Sequence, residues 1–271
     1  MQISNIALIT FLCAAGAAAQ DRVTVPISNP SQPVTLKVST LNGSIKVTAG
    51  TGRDVIVSTG EGDVSRRRER NPRDGAPPGM ARIGGGRFGV DIEEDHNVVT
   101  VNSGPPGGDG TLVIETPANT NLQLRTTNGS MIEVTGVTGD HEIENTNGSI
   151  HLNNVSGSVV AHTQNGAVIV TLDRITGTKP MSFTSMNGKI DVTMPAATKA
   201  RLRLKSDNGA IYSDFDVRLE ADASKPLVED NRGTNGKYRI SIDKSVTGTI
   251  NGGGPEYTFQ TMNGNILIHK K

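Results

Sequence analysis

The sequence predicts an all-β protein that stacks one short repeated unit as a parallel β-solenoid. Three observations support this fold class. An Asn-Gly pair recurs along the chain, the residues on both sides of each pair alternate between apolar and polar, and 32 of the 271 residues are glycine. A period of roughly 20 residues is typical of repeat architectures, and period-two alternation is typical of half-buried strands. We therefore expect many thin layers rather than one thick core.

Residues 1–19 have the features of a secretory signal peptide. An apolar run from Ile6 to Phe11 leads into small residues that end at Ala19, as in cleaved signals. Cys13, the only cysteine, lies in this segment, so the mature chain is expected to have neither a disulfide nor a thiol nucleophile. We expect an exported protein of the periplasm, outer membrane or cell surface. Residues 20–32 form a linker, and no later stretch reaches the roughly 20 apolar residues of a membrane span.

The predicted β-repeat domain covers residues 33–271, and seven of its Asn-Gly pairs share the same flanking pattern. Asn and Gly tolerate the positive φ angles of a sharp corner better than other residues do. Each unit is therefore predicted to be a strand, an Asn-Gly corner and a second strand. The structural corners are Asn42, Gly43, Asn128, Gly129, Asn147, Gly148, Asn165, Gly166, Asn187, Gly188, Asn208, Gly209, Asn263 and Gly264.

Positions at fixed distances from each corner Asn share a residue type. The residue two before the Asn is always Thr, Ser or Asn, and the residue three after it is apolar, as at Ile45 and Met131. A uniform polar column is expected when it forms a hydrogen-bonded ladder along a stack, which favours the solenoid. Asn-Gly is also a strong hairpin signal, so an antiparallel barrel or sandwich is the alternative. In a stack, Arg125 and Glu144 become adjacent opposite charges.

The repeat is interrupted by an insertion rich in Gly, Pro and Arg at about residues 61–89. Such a composition is typical of an extruded loop. Its four clustered arginines could contact an anionic envelope polymer, and the alternative is a solvated loop. Short strands around Val90 and Val98 are expected to rejoin the stack. The arginines are Arg66, Arg67, Arg68 and Arg70.

Two segments combine a strand, a proline and a second strand that leads into Asn-Gly. They run from Leu112 through Pro117 to Gly129 and from Asp191 through Pro195 to Ile211. With the closing Asn-Gly segments, they make residues 33–271 resemble the bacterial putative-adhesin family, a β-strand-repeat domain of unknown function related to autotransporter-adhesin head domains. The resemblance implies a β-solenoid and an envelope location, and it brings no catalytic residues.

Composition and spacing argue against most site chemistries. The formal net charge is zero, so nucleic acid is not an expected partner. Of the five histidines, His141, His151 and His162 fall in different columns of the repeat, and all five are expected at the surface, so no metal site and no cofactor are predicted. Asp140, Glu142 and Glu144 form a local acidic cluster. Paired carboxylates serve glycoside hydrolysis, so a β-helical carbohydrate-active enzyme, a lyase or hydrolase acting on envelope polysaccharide, is the alternative function.

We therefore predict an exported, non-catalytic β-repeat protein that acts at the cell envelope by adhesin-like binding or scaffolding. Its expected partner is an envelope polymer or another protein. Sheet edges of a solenoid also permit self-association. Lys270 and Lys271 are expected to blunt such an edge at the last strand.

Overall fold

The computed structural model describes residues 22–60, 89–103, 110–175, 178–220, 227–231, 237–241 and 245–271. These residues form 22 strands, and no helix occurs among them. The all-β prediction is therefore confirmed. The same part of the chain contains no helix that could cross a membrane. The signal peptide and the four arginines of the insertion, Arg66, Arg67, Arg68 and Arg70, lie outside the described residues.

Strands that precede the corners stack on one another, and we call this stack layer A. Alternate side chains point into the core; in β2, for example, Val34, Leu36 and Val38 are buried. In spatial order layer A contains β5 (Val90–Asp95), β6 (Val98–Ser103), β2 (Val34–Asn42), β8 (Thr120–Asn128), β10 (Thr138–Asn145), the second half of β11 (Ser149–Thr163), β13 (Met181–Asn187), β21 (Glu256–Asn263), β15 (Ala200–Asn208), β20 (Val246–Ile250) and β17 (Arg218–Leu219).

Strands that follow the corners form a second stack, layer B. The long strand β11 joins the two layers, because its first half pairs in layer B and its second half pairs in layer A. In spatial order layer B contains β1 (Arg22–Val25), β4 (Val55–Gly60), β7 (Thr111–Pro117), β3 (Ser44–Gly50), β9 (Met131–Thr135), the first half of β11, β12 (Val168–Arg174), β14 (Ile190–Met194), β22 (Ile266–Lys270) and β16 (Ile211–Ser213). A separate hairpin consists of β18 (Leu227–Asn231) and β19 (Lys237–Ser241).

The strands of the repeated units pair in parallel, as the sequence predicts for stacked units. Among the described strands, no two strands joined by one of the seven corners pair in antiparallel orientation, which excludes Asn-Gly hairpins as the building block. Antiparallel strands occur at the ends of the layers, where β5 pairs with β6, β4 with β1 and β7, and β20 with β15 and β17. The sheet is therefore mixed and not purely parallel.

The C-terminal unit does not stack in chain order. Strand β21 lies between β13 and β15, and β22 lies between β14 and β16. The corner at Asn263 is consequently inserted between the corners at Asn187 and Asn208. This arrangement contradicts the expectation that Lys270 and Lys271 blunt an exposed edge, because β22 has a partner on each side. Lys271 instead pairs with Asp173, with Nζ 2.7 Å from Oδ1.

The inward side chains of both layers form one apolar cluster. Its largest fully buried members, Phe183, Phe259 and Tyr257, lie on β13 and β21. The rings of Phe183 and Phe259 stack with centroids 5.0 Å apart, a geometry that stabilises beyond simple area burial. In β9 the inward residue is Ile132 and not the apolar Met131, because Ile132 pairs with Ile45 and Ile150.

Candidate binding surface

The seven corner asparagines form one continuous ladder of side-chain amides. Each bond runs from the Nδ2 of one Asn to the Oδ1 of the next, so all the bonds point in the same direction. The donor–acceptor pairs are Asn128 to Asn42 at 3.0 Å, Asn147 to Asn128 at 3.0 Å, Asn165 to Asn147 at 2.9 Å, Asn187 to Asn165 at 2.8 Å, Asn263 to Asn187 at 2.7 Å and Asn208 to Asn263 at 2.9 Å. We call this row the asparagine ladder.

The Thr/Ser/Asn column lies beside the asparagine ladder and fixes the backbone of the corners. Its side chains do not bond to one another. From the second unit onward, each donates to the carbonyl of a corner glycine in the neighbouring unit. The donors and acceptors are Thr126 to Gly43, Asn145 to Gly129, Thr163 to Gly148, Ser185 to Gly166, Thr261 to Gly188 and Ser206 to Gly264, at 2.8 to 3.3 Å.

Close approach between units explains the corner glycines better than positive φ does. Among the corner residues, all of which are described, only Gly43 has a positive φ, of 105°. A Cβ atom on Gly148 would lie 2.0 Å from the carbonyl oxygen of Gly129, and one on Gly188 would lie 2.0 Å from that of Gly166. The stack therefore requires glycine because no side chain fits between adjacent corners.

The outward side of layer A has an uncharged central region, which we call the neutral patch. Exposed or half-buried polar side chains and one exposed valine alternate here with the buried Ala161, Phe183 and Phe259. Strand pairing sets these side chains at a regular spacing of about 4.8 Å across the strands. The neutral patch consists of Val160, His162, Ser182, Thr184, Thr258 and Gln260.

Charged rows lie on both sides of the neutral patch. On one side, Arg125 on β8 bonds to both Glu142, at 3.1 Å, and Glu144, at 3.3 Å, on β10. The predicted adjacency of Arg125 and Glu144 is confirmed. On the other side, the row on β15 contains Arg201, whose guanidinium lies 2.8 Å from a carboxylate oxygen of Glu220. Such exposed pairs contribute little to stability, so their main effect is to bound the neutral patch with charge.

Asp140 is held as a carboxylate. Lys179 donates to its Oδ2 at 2.7 Å and Ser158 donates to its Oδ1 at 2.6 Å. The Lys179 ammonium, followed by the Ser158 hydroxyl, lowers the pKa of Asp140 below its usual range. A general acid for glycoside hydrolysis needs a raised pKa instead. All three carboxylates of the acidic cluster therefore pair with a cation, Asp140 with Lys179 and both glutamates with Arg125.

One histidine lies in the core, contrary to the sequence expectation of surface histidines. His141 is an inward residue of β10 that is 3% exposed, and its Nε2 lies 3.2 Å from the carbonyl oxygen of Ser156. Its Nδ1 has no hydrogen-bond partner. Burial disfavours the imidazolium and lowers the pKa of His141. Within the described ranges, no group of three or more His, Cys, Asp or Glu side chains could hold a metal ion.

Two features of this surface were missed from the sequence. The corner asparagines were assigned a backbone role only, whereas their amides form the ladder. The regular outward columns could be read from the repeat, but the position of Thr258 and Gln260 within the neutral patch depends on the insertion of β21 beside β13. If the units stacked in chain order, β15 would lie beside β13 instead of β21.

These features define a class of protein: a stacked β-repeat protein whose units are joined by side-chain ladders and whose outer face is regular and polar. The chain belongs to the Toastrack DUF4097 family, whose profile matches residues 9–269. This membership agrees with the resemblance to the putative-adhesin family drawn from the Asn-Gly segments. No curated protein matches the chain.

Two solved structures resemble the chain. A "putative cell adhesion protein" from Clostridium sporogenes ATCC 15579 has a TM-score of 0.51 and 10% sequence identity, covering 93% of this chain and 100% of that one. At this identity, the likeness concerns the fold alone. A "putative adhesin" from Bacteroides fragilis NCTC 9343 has a TM-score of 0.28 and 8% identity, covering 94% of this chain and 98% of that one.

Proposed function

We propose that this protein is an exported, non-catalytic binding or scaffolding module of the bacterial cell envelope, and that its neutral patch contacts the partner. Its repeated core is best described as a β-solenoid with antiparallel ends. The observation that carries the proposal is the regular outward face of layer A, in which polar side chains repeat at about 4.8 Å. A rigid row of this kind suits an extended partner, such as an envelope polymer or a protein strand.

The chemistry of the neutral patch supports a weakly charged partner. Hydroxyl, amide and imidazole groups can exchange hydrogen bonds with such a partner, and Val160, at 45% exposure, adds apolar contact area. A charged partner would instead meet both the acidic row on β10 and the basic row on β15. The likeness to a structure named as a putative cell adhesion protein supports adhesion at the level of the fold.

The first experiment measures retention of the purified protein on separated envelope fractions. We expect Thr184→Glu to reduce retention, because it places a charge at the centre of the neutral patch. Thr135→Glu is the matched control, since Thr135 is a half-buried outward residue of layer B. If both variants bind like the wild type, the neutral patch is not the contact. Turnover of envelope polysaccharide that is lost in Glu142→Gln would overturn the non-catalytic proposal.

A second experiment tests export and the basic insertion. The full chain is expected in the envelope fraction of a bacterial host, and a chain without residues 2–19 is expected in the cytoplasm. Replacement of Arg66, Arg67, Arg68 and Arg70 by Ser should weaken retention on anionic fractions at low salt if the insertion is a contact. Replacing the exposed Lys37, Arg53, Lys199 and Lys270 removes the same charge and should leave retention unchanged. If both sets of replacements weaken retention equally, the effect comes from net charge and not from the insertion.

A further inference from the structure

Every corner of the stack has a sequence that favours one covalent reaction. In an Asn-Gly pair, the glycine backbone nitrogen can attack the Asn side-chain carbonyl carbon, and ammonia leaves as a succinimide ring forms. Water then opens the ring to give aspartate or isoaspartate. The reaction needs water alone, and glycine hinders the attack least because it has no Cβ. Asparagine is for this reason a chemically labile residue.

The asparagine ladder opposes this reaction unequally along its length. An Asn whose Oδ1 accepts one bond and whose Nδ2 donates another must break both before its side chain can turn toward the following nitrogen. Five asparagines are held in this way: Asn128, Asn147, Asn165, Asn187 and Asn263. All five are exposed to solvent, so it is the hydrogen bonds and not burial that restrain them.

The two ends of the ladder differ from its interior and from each other. Within the described residues, Asn42 only accepts a ladder bond and Asn208 only donates one. Asn42 is half-buried and Gly43 is buried, whereas Asn208 and Gly209 are both exposed. Gly209 also differs from the other corner glycines, because no Thr, Ser or Asn side chain of the described part donates to its carbonyl.

We propose that Asn208 is a modification site, at which spontaneous deamidation converts the terminal corner to aspartate or isoaspartate while the asparagine ladder protects the inner corners. The product loses the Nδ2 donor that bonds to Asn263 and places a carboxylate against the Oδ1 of that residue. Isoaspartate also lengthens the backbone by one atom. The terminal unit of β15 and β16 is therefore loosened from β21 and β22, and the inner stack is kept.

The experiment follows all seven corners in one chain. The purified full-length protein is held at pH 8.5 and 37 °C, and peptide mass mapping measures deamidation at each Asn-Gly pair over time. A parallel sample unfolded in urea gives the intrinsic rate of each pair, to which the folded rates are normalised. We expect Asn208 to react roughly two- to threefold faster than the five inner asparagines, which corresponds to the net contribution of one exposed hydrogen bond. Equal normalised rates at Asn208 and the inner corners would overturn the proposal.

A variant shows whether the ladder itself confers the protection. Asn263→Ala removes the bond that Asn187 accepts, so Asn187 should deamidate faster, toward the rate of Asn208 in the wild type. Met262→Ala is the matched control, because Met262 is an exposed neighbour on the same strand. Circular dichroism confirms that both variants are folded. An unchanged rate at Asn187 in folded Asn263→Ala would contradict the role of the ladder, and the wild-type rates remain decisive if the variant does not fold.

Discussion

Two regions of the stack use the same bonds but differ in the order of their units. The units with corners at Asn128, Asn147, Asn165 and Asn187 stack in chain order. The last two units stack in reverse, with the Asn263 unit between those of Asn187 and Asn208. Both regions continue the same asparagine ladder. The comparison shows that corner chemistry specifies that units stack, but not which unit follows which.

The chain connection explains the reversal. Strand β20 pairs with one side of β15 and β21 with the other, so the chain crosses over the start of β15 between them. The crossing uses three consecutive left-handed residues, Asn251, Gly252 and Gly253. The side-chain amide of Asn251 donates to the carbonyls of Ala196, at 2.9 Å, and Thr198, at 2.7 Å. This crossover carries the C-terminal unit into the space next to β13.

The largest expected effect comes from the core of the inserted unit. Phe259→Ala removes a fully buried ring that stacks on Phe183, and we expect a loss of about 3–5 kcal/mol in the free energy of unfolding. Met262→Ala on the same strand is exposed and should change it by less than about 0.5 kcal/mol. Urea denaturation measures both. Similar small losses would show that β21 is not packed into the core.

Glycine substitutions compare an inner corner with the terminal one. A Cβ on Gly148 would meet the Gly129 carbonyl oxygen at 2.0 Å, and a Cβ on Gly209 would meet that of Gly264 at 2.0 Å. The corner at Gly148 lies between two other corners, whereas the corner at Gly209 has a neighbouring corner on one side only. We expect Gly148→Ala to destabilise by about 1–3 kcal/mol, and Gly209→Ala by less. A greater loss at Gly209, measured by urea denaturation, would contradict its terminal position.

Loss of ladder amides should have a smaller effect. Asn165→Ala removes two ladder bonds and Asn208→Ala removes one. We expect losses of roughly 1 kcal/mol and roughly half of that, respectively, because exposed hydrogen bonds contribute little net stability. Thermal unfolding of the two variants and of the wild type measures both losses. If both variants lose the same free energy of unfolding, the second ladder bond of Asn165 adds nothing to stability.

The smallest expected effect is a pH dependence of the melting temperature that arises from the buried His141. The unfolded chain binds a proton at His141 near its ordinary pKa of 6.5, whereas burial lowers the pKa in the folded protein. The contribution of the neutral His141 to the free energy of unfolding is therefore fully present above about pH 6.5 and is lost as the pH falls below that value. The melting temperature should fall less between pH 7 and pH 5 in His141→Leu than in the wild type. If His141→Leu keeps the pH dependence of the wild type, His141 is excluded as its source.

The sequence predicts the strands and the corner of each unit, but it does not predict which units lie next to each other. Period-two alternation was sufficient to predict the strands on both sides of each corner, because a buried face leaves a direct record in the sequence. The adjacency of Arg125 and Glu144 followed from the spacing of consecutive units. The placement of β21 beside β13 could not be predicted, since each unit presents the same Asn, Gly and Thr or Ser groups to either neighbour. His141 was missed because a single polar residue in an inward column does not alter the repeat.

Disulfide formation tests the stacking order most directly. In a chain with Cys13→Ser, the pair Thr184→Cys and Gln260→Cys should form a disulfide, because these residues are register partners on adjacent strands and lie within the range that a disulfide can bridge. The pair Thr184→Cys and Lys205→Cys should not form one, since β21 separates β13 from β15. A bond in the second pair and none in the first would show that the units stack in chain order and would contradict the inserted C-terminal unit.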